Sequence, residues 1–439
     1  MKIIQDAVII VVLLFFASTS LFAADRVYTL QDAYDAALGS NETIKIAEEG
    51  VVQAESRVDQ ARTYLFPRLT GQARYTWYNE TLPPEGGDFI FQPLEQFQAG
   101  LVLTQPLYTG GRTFAAFRTA KTLSEASKKQ LSTSQQDILL GVADAYFEVL
   151  KARKLVDVSR DSLSRMEEYK KVTERVASTR RSKANMSDLL RARTLVSQAG
   201  IFVVTAEDRL KIARQRLNLL TRLPEDAAVT EPPPSAAPSY SLDRLKQIAS
   251  ENRDDYAGVR LNRKVAEENI TIVKGAHHPQ VYAEGGLQYQ DSRPTTGLDA
   301  TVYYGGLRLQ IPIFEGGLMK AEVSEARSKL RQAELSTELL RRNIETDVYE
   351  AYIGLQTVTS VLDSAKLQYA DAKGNFDAVT SLFAEGLASS LAVIDSQQAL
   401  FVAEREFVNA TYEQQVAVLR LQRSIGLLGK NFLPRMDTD

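Results

Sequence analysis

The sequence predicts a mixed α and β membrane protein, in which long coiled-coil helices join a transmembrane β-barrel pooled from several copies of the chain. Three observations predict it. Most of the chain reads as two copies of one pattern. Each copy holds a long helix with an unbroken 4-3 apolar spacing. Each also holds two segments of about ten residues whose side chains alternate apolar and polar.

Composition sets the outer limits. The 439 residues carry 52 Lys and Arg against 55 Asp and Glu, a net charge of −3, which points to no nucleic-acid partner. The chain has no cysteine, so disulfides, thiolate metal sites and thiol nucleophiles are excluded, as is a lipoprotein anchor on a cysteine. Lys2, the apolar run Ala7–Phe16 and the small-residue stretch ending at Ala23 read as a secretory leader, residues 1–23. Ten apolar residues fall short of the roughly 20 that a spanning helix needs. No other segment is expected to reach that length. The remaining choices are a periplasmic soluble protein or an outer-membrane β-barrel.

The repeat sets the domain organisation. Tyr28-Thr29-Leu30 recurs as Tyr240-Ser241-Leu242, an offset of 240 − 28 = 212, which also carries Pro67 onto Pro279. Further on, Pro106 recurs as Pro312 and Ala145-Tyr146 as Ala351-Tyr352, an offset of 312 − 106 = 206. The difference falls between Trp77 and Phe97, where a loop tolerates length change. The expected organisation is leader 1–23, first repeat 24–222, proline-rich linker 223–239, second repeat 240–428 and tail 429–439.

Taken in order, the first copy offers a helix near Leu30–Tyr64, strands at 67–78 and 97–106, a long helix from Arg112 to about Ser178, and a helix over Asp188–Thr221. The long helix carries the seam Ile138, Val142, Ala145, Val149, Ala152, Val156, Ser159, Leu163 and Met166. At 1.5 Å per residue it would run about 100 Å. The second copy offers a helix over Leu242–Lys274, strands at 279–290 and 302–312, a seam from Ile344 to Ala372, and a helix over Leu391–Leu427. In the strand 67–78, Leu69, Ala73, Tyr75 and Trp77 oppose Arg68, Thr70, Gln72, Arg74 and Thr76. On alternation alone, a half-buried sheet of a soluble protein reads equally well; the leader and the long helices favour the barrel. Pro67, Pro106, Pro279 and Pro312 mark the helix–strand junctions, and Gly110-Gly111 and Gly316-Gly317 mark turns into the long helices. Four strands cannot close a membrane barrel, so copies must pool them: a dimer gives eight strands, a trimer twelve.

In this order, twice over, the residues resemble the TolC family of outer-membrane efflux proteins. The carriers are the helix starts at Leu30 and Leu242, Phe66-Pro67 and His278-Pro279 before the strands, and the segments Gln105–Gly111 and Ile311–Gly317 after them. Gly386–Gln397 adds a further one. The resemblance implies a homotrimer with a twelve-stranded barrel in outer-membrane lipid and a periplasmic helical tunnel. Its partners would be a periplasmic adaptor protein and an inner-membrane transporter, with no cofactor and no enzymatic activity. It also implies a periplasmic gate. Of the family's two acidic ring positions one matches Asp395, while the other is Ala392. The gate's locking positions fall on Ser187, Asp188, Phe383 and Ala388, where Phe383 stands for a tyrosine and Ala388 for a basic residue. The tips offer an adaptor-docking surface at Arg180, Arg181, Lys183, Gly386, Leu387 and Ala388, with an ordinary solvated turn as the simpler reading.

Nothing in the sequence argues for catalysis. His277 and His278 stand side by side at a strand entry, where adjacent residues point to opposite faces and make poor joint metal ligands. The glycine pairs lack the lysine of a phosphate loop. The competing reading is a periplasmic adaptor with long helical hairpins, which would require a small lipoyl-like β domain.

Overall fold

A computed structural model of the chain describes residues 27–82, 92–179, 183–233, 240–296 and 300–429. The leader, Arg180, Arg181, the linker residues 234–239 and the tail from 430 lie outside the described residues. In order, the elements are β1 (Val27–Tyr28), α1 (Leu30–Ser40), α2 (Glu42–Thr63), β2 (Arg68–Trp77), β3 (Glu95–Tyr108), α3 (Arg112–Thr179) and α4 (Lys183–Thr221). There follow β4 (Ala228–Val229), α5 (Leu242–Asn252), α6 (Asp254–Ala276), β5 (Gln280–Arg293), β6 (Ala300–Gln310), α7 (Leu318–Ala384) and α8 (Ser390–Ser424). Two helices, two strands and two helices thus follow one another twice.

The long helices are as the seams predict: α3 has 68 residues and α7 has 67. The flanking helices differ from expectation. Each of the two helices that open a repeat is broken once, at Asn41 and at Arg253, one offset apart (41 + 212 = 253). Asn41 leaves helical geometry at ψ 127. Its amide donates to the Leu220 carbonyl at 3.2 Å, and its Oδ1 accepts from the Thr43 N–H at 3.0 Å. An Asx side chain that offers the backbone such partners competes with the helix ladder. Arg253 takes a similar extended conformation and holds Asp255 at 2.6 Å. The helix α4 begins at Lys183, five residues before its expected start. It also corrects the expectation that no other segment is apolar enough to span a membrane, because Met186–Thr221 is long and apolar enough by composition. Interspersed Ser, Thr and Gln residues break any continuous apolar run there.

Two compact units divide the chain, each drawing on both repeats. The first takes residues up to Lys45, Ser134–Asn252 and those from Ile344 on. Its core gathers Ala33, Tyr34 and Ala37 of α1, Leu217 of α4 and Val416 and Leu419 of α8 around α3. Because α3 meets several neighbours, its buried face is wider than the seam. Leu139, Ala143, Tyr146, Phe147 and Leu150 are buried along with Val142 and Val149. The Tyr146 hydroxyl lies 2.9 Å from the Tyr28 carbonyl and 2.6 Å from that of Thr230, tying α3 to the short parallel pair β1–β4.

The second unit takes Ile46–Thr133 and Arg253–Asn343. It holds an antiparallel sheet in the order β2-β3-β5-β6, which leaves β2 and β6 as edges. The two hairpins share one register. Adding 212 to β2 residues and 206 to β3 residues turns Arg68–Thr104 into Gln280–Gln310 and Trp77–Glu95 into Tyr289–Thr301, and both are observed pairs. Residues directly opposite share a face. One face therefore carries the row Gly71, Leu101, Leu287, Tyr303 and the row Ala73, Ala99, Tyr289, Thr301. The other carries Gln72, Gly100, Gln288, Val302 and Arg74, Gln98, Gln290. The apolar side chains are well exposed, with Trp77, Tyr303 and Leu307 each at least 66% accessible.

The strands end where their partners end. β3 runs past the expected limits to 95 and 108, and β5 continues to Arg293, while β6 stops at Gln310 although it was expected to reach 312. Pro67 and Pro279 immediately precede β2 and β5. Pro106 lies inside β3, two residues before its end. By that point β2 no longer pairs with it, and the register to β5 shifts between Pro106 and Tyr108. The turns into α3 and α7 use left-handed glycines, with φ of 62° and 80° at Gly110 and Gly111 and of 60° and 93° at Gly316 and Gly317.

Candidate functional site

The α7–α8 tip is closed by a glycine. Gly386 takes φ 81°, its N–H donates to the Phe383 carbonyl at 3.0 Å, and the Leu387 N–H donates to the Leu382 carbonyl at 2.8 Å. This six-to-one and five-to-two pattern ends a helix on a left-handed residue. Ser389 then caps α8, its hydroxyl accepting from the Ala392 N–H at 3.2 Å. Leu387 is exposed and Ala388 half-buried, so this loop presents an apolar tip. On the α3–α4 side, Arg180 and Arg181 are not described, and Lys183 is described only in its backbone, as the first residue of α4.

Behind the tip lies a small buried cluster of Met166, Tyr169, Ala192, Ala199 and Val393, with Phe383 packed against it. The Phe383 and Tyr169 rings are 5.7 Å apart. The Tyr169 hydroxyl hydrogen-bonds to Ser390 Oγ. Phe383 has no hydroxyl of its own, and the hydroxyl bond beside it is made by Tyr169 of α3. Asp188 sits half-buried one turn before Ala192, and Ser187 beside it is exposed. Ala392 is half-buried next to Val393.

Asp395 is exposed. It lines an open groove between α7 and α8 with Gln368, Asp371, Asn375 and Gln398. No hydrogen bond or ion pair joins Asp395 to Asp188 among the described residues. Asp371 lines the same groove from α7, a second carboxylate that sequence reasoning passed over because it belongs to a different helix.

Two turns above Ser390, Arg165 joins three helices. Its Nε donates to Gln397 Oε1 at 2.9 Å and its Nη2 to Glu404 Oε2 at 2.7 Å, while its guanidinium stands 5.8 Å from the Phe376 ring. Gln397, 4% exposed, donates onward to Ser162 Oγ at 3.1 Å. The Arg165 and Glu404 side chains are 22% and 13% exposed, so this is a largely desolvated, geometrically satisfied ion pair of the kind that resists screening.

At the base of the sheet, His277 occupies the expected strand entry, three residues before β5. It follows the last turn of α6, and its side chain is 5% exposed. Nδ1 lies 2.7 Å from Glu315 Oε2 and Nε2 lies 3.0 Å from Glu322 Oε2. A neutral imidazole has one N–H and can satisfy one of these carboxylates, whereas the imidazolium satisfies both. The hydrogen bond to Glu315, helped by Glu322, accordingly raises the His277 pKa above its ordinary value against the opposing cost of burial. His278 is exposed. Among the described residues, no group of three or more His, Cys, Asp or Glu side chains is arranged to hold a metal ion.

The comparisons with known proteins agree with this architecture. The TolC outer membrane protein of Vibrio cholerae serotype O1 is 24% identical over 387 residues, 85% of each chain. The crystal structure of CusC superposes with a TM-score of 0.80 at 18% identity, over 93% of this chain and 95% of that one. The CmeC outer membrane channel of Campylobacter jejuni gives 0.79 at 16% identity, over 90% and 85%. The family model described as outer membrane efflux protein matches residues 33–221 and 245–427. With both repeats covered, the chain belongs to the outer membrane efflux protein family.

Proposed function

We propose that the chain is the outer-membrane exit duct of a tripartite efflux or secretion system, acting as a homotrimer that takes up cargo from a periplasmic adaptor and an inner-membrane transporter. The observation that carries this reading is the sheet. It has one polar and one exposed apolar face and two edges with no partner strand among the described residues, a form that lipid tolerates only when copies close it into a barrel. Three copies supply twelve strands with the apolar face to lipid and the polar face to the lumen. The shared register of the two hairpins supports an origin by duplication. The helices α3, α4, α7 and α8 form the periplasmic part, and the repeats are its two structural halves.

Within this duct Asp395 is the gate carboxylate, one per chain, and the α7–α8 loop with the basic α3–α4 tip is the adaptor-docking end. Three like charges in a narrow lumen favour cations and hold back anions. The adaptor reading is not favoured: the described strands form one open four-stranded sheet and one two-residue pair, and neither is a lipoyl-like domain.

Fractionation tests the proposal. The protein should enter the outer-membrane fraction, run as a trimer on native gels, show heat-modifiable migration and form channels in planar bilayers. Recovery in the soluble periplasmic extract would refute it.

A further inference from the structure

The strand lengths carry information about the seam between copies. β3 and β5, each with neighbours on both sides, have 14 residues, whereas the edge strands β2 and β6 have 10 and 11. The additional residues are those paired only across the β3–β5 seam. On β3 they belong to 105–108, which face β5 after β2 has ended its pairing at Thr104. On β5 they are 291–293, which face β3 after β6 has ended its pairing at Gln290. Adding 206 to 105–108 gives 311–314, the stretch just past the end of β6. Subtracting 212 from 291–293 gives 79–81, just past the end of β2. Both stretches stop short of strand geometry in the single chain. Ile313 and Phe314 there are 94% and 88% exposed.

We infer that β6 of one copy pairs antiparallel with β2 of a second copy in the register that the β3–β5 seam already displays. The inference rests on the barrel reading and adds its residue-level register. The images of β3 and β5 are β6 and β2, the two edges that lack a neighbour. Leu103 faces Gly285; since 103 + 206 = 309 and 285 − 212 = 73, Leu309 faces Ala73 of the second copy. The same arithmetic sets Leu307 opposite Tyr75 and Gly305 opposite Trp77 on the apolar face, and Gly306 opposite Thr76 on the polar face. Every derived pair joins residues of one face, which a one-residue slip would violate throughout. Gly305 beneath Trp77 repeats the small-against-aromatic contact of Ala99 with Tyr289 and shields the bare glycine backbone. One derived pair, Arg308 with Arg74, opposes like charges. It is tolerable because the Arg308 guanidinium already turns to Glu284 at 2.7 Å and to the Tyr282 ring at 4.8 Å. Paired this way, 311–314 and 79–81 become strand, and the two edges grow to the length of the inner strands.

The chain has no cysteine, so engineered pairs report without background. Neighbouring strands lie about 4.8 Å apart, so β2 and β6 of one copy are roughly 14 Å apart in the sheet, beyond the reach of a disulfide. Any bridge between them therefore joins two copies. The test is Ala73→Cys with Leu309→Cys in the full chain, isolated in outer membranes and treated with a short thiol-specific linker that spans both kinds of antiparallel pair. Thr76→Cys with Gly306→Cys repeats the test on the other face. The expected result is a covalent ladder up to trimer, at least fivefold faster than from Gly71→Cys or Tyr75→Cys combined with Leu309→Cys. A slipped pair that links as fast or faster, in a chain that still runs as a trimer, overturns the register alone. A monomeric chain that yields no ladder from any pair removes the barrel reading and this inference with it.

Discussion

Arg165→Met is the perturbation that best separates the tip from the rest of the helical unit. It removes three charge-assisted hydrogen bonds, one to Gln397 and two to Glu404, and leaves Glu404, 13% exposed in its side chain, without its cation. Hydrogen bonds to charged groups contribute about 1.5–3 kcal/mol each. Stranding one member of a well-buried pair costs about 3–5 kcal/mol. Arg165 retains 22% side-chain exposure, so water relieves part of that, and about 3 kcal/mol is the working figure. At 1.4 kcal/mol per tenfold change, the α8 start should open on the order of a hundredfold more often. Hydrogen-exchange mass spectrometry of peptides spanning Ser390 to Glu404 reads this directly, with peptides around Tyr146 as the internal control. Arg165→Met combined with Glu404→Leu replaces the pair with apolar groups of similar size, which is commonly near-neutral. Protection in the double variant should return to within about tenfold of the parent, the remainder coming from the buried Gln397 Oε1 left without its donor. The reasoning fails if the single variant keeps its protection, or if the double variant is as open as the single.

Three other outcomes follow from the geometry. The raised His277 pKa means that its clamp on Glu315 and Glu322 stabilises fully below the ordinary histidine value and is lost as pH rises through the elevated one. Heat-modifiable migration should therefore shift at lower temperature as pH rises, and His277→Gln should flatten that dependence; identical pH profiles would contradict the clamp. Gly110→Ala should lower the same transition, because the residue is left-handed and an added Cβ would sit 2.5 Å from the Gly275 carbonyl oxygen. Backbone strain of about 1–2 kcal/mol and overpacking of about 1–3 kcal/mol add there, and an unshifted transition would refute the close approach. Asp395→Ala should raise single-channel conductance and weaken cation preference in planar bilayers, and an unchanged channel would show that the carboxylate does not line the constriction.

Much of the fold could be read from the residues because it depends on local chemistry. Period-two alternation placed all four strands to within four residues at each end, and paired glycines marked both left-handed turns. What escaped depended on partners distant in sequence. The break at Asn41 is fixed by a carbonyl 179 residues away. Arg165 looks like a solvated helix cation until α8 brings Gln397 and Glu404 to it. His277 stands at the entry to β5, as expected, but its carboxylate partners come from elsewhere in the sequence, Glu315 from the β6–α7 connection and Glu322 from α7. β6 ends at Gln310, short of the expected 312, for the same reason. Residues 311–314 have strand chemistry, but a strand needs a neighbour, and among the described residues they have none.

The uneven packing of the helical unit bears on where the proposed gate can move. Among the described residues, the cluster around Tyr146 buries nineteen side chains and draws on α1, α3, α4 and α8. The cluster behind the tip buries five. Each fully buried aliphatic or aromatic side chain contributes about 1.5–3 kcal/mol. Opening the first cluster therefore approaches global unfolding, while opening the second costs only a few such contributions, the low end of the local-stability range. At the tip, then, the Arg165 ion pair and the Tyr169–Ser390 bond are a large fraction of what holds α8 to α3, whereas around Tyr146 bonds of that size would be a minor share. Asp395 lies two residues past Val393 of the small cluster and two before Gln397 of the Arg165 network. A carboxylate placed there can change its surroundings when a few polar bonds exchange partners, with the large core left intact.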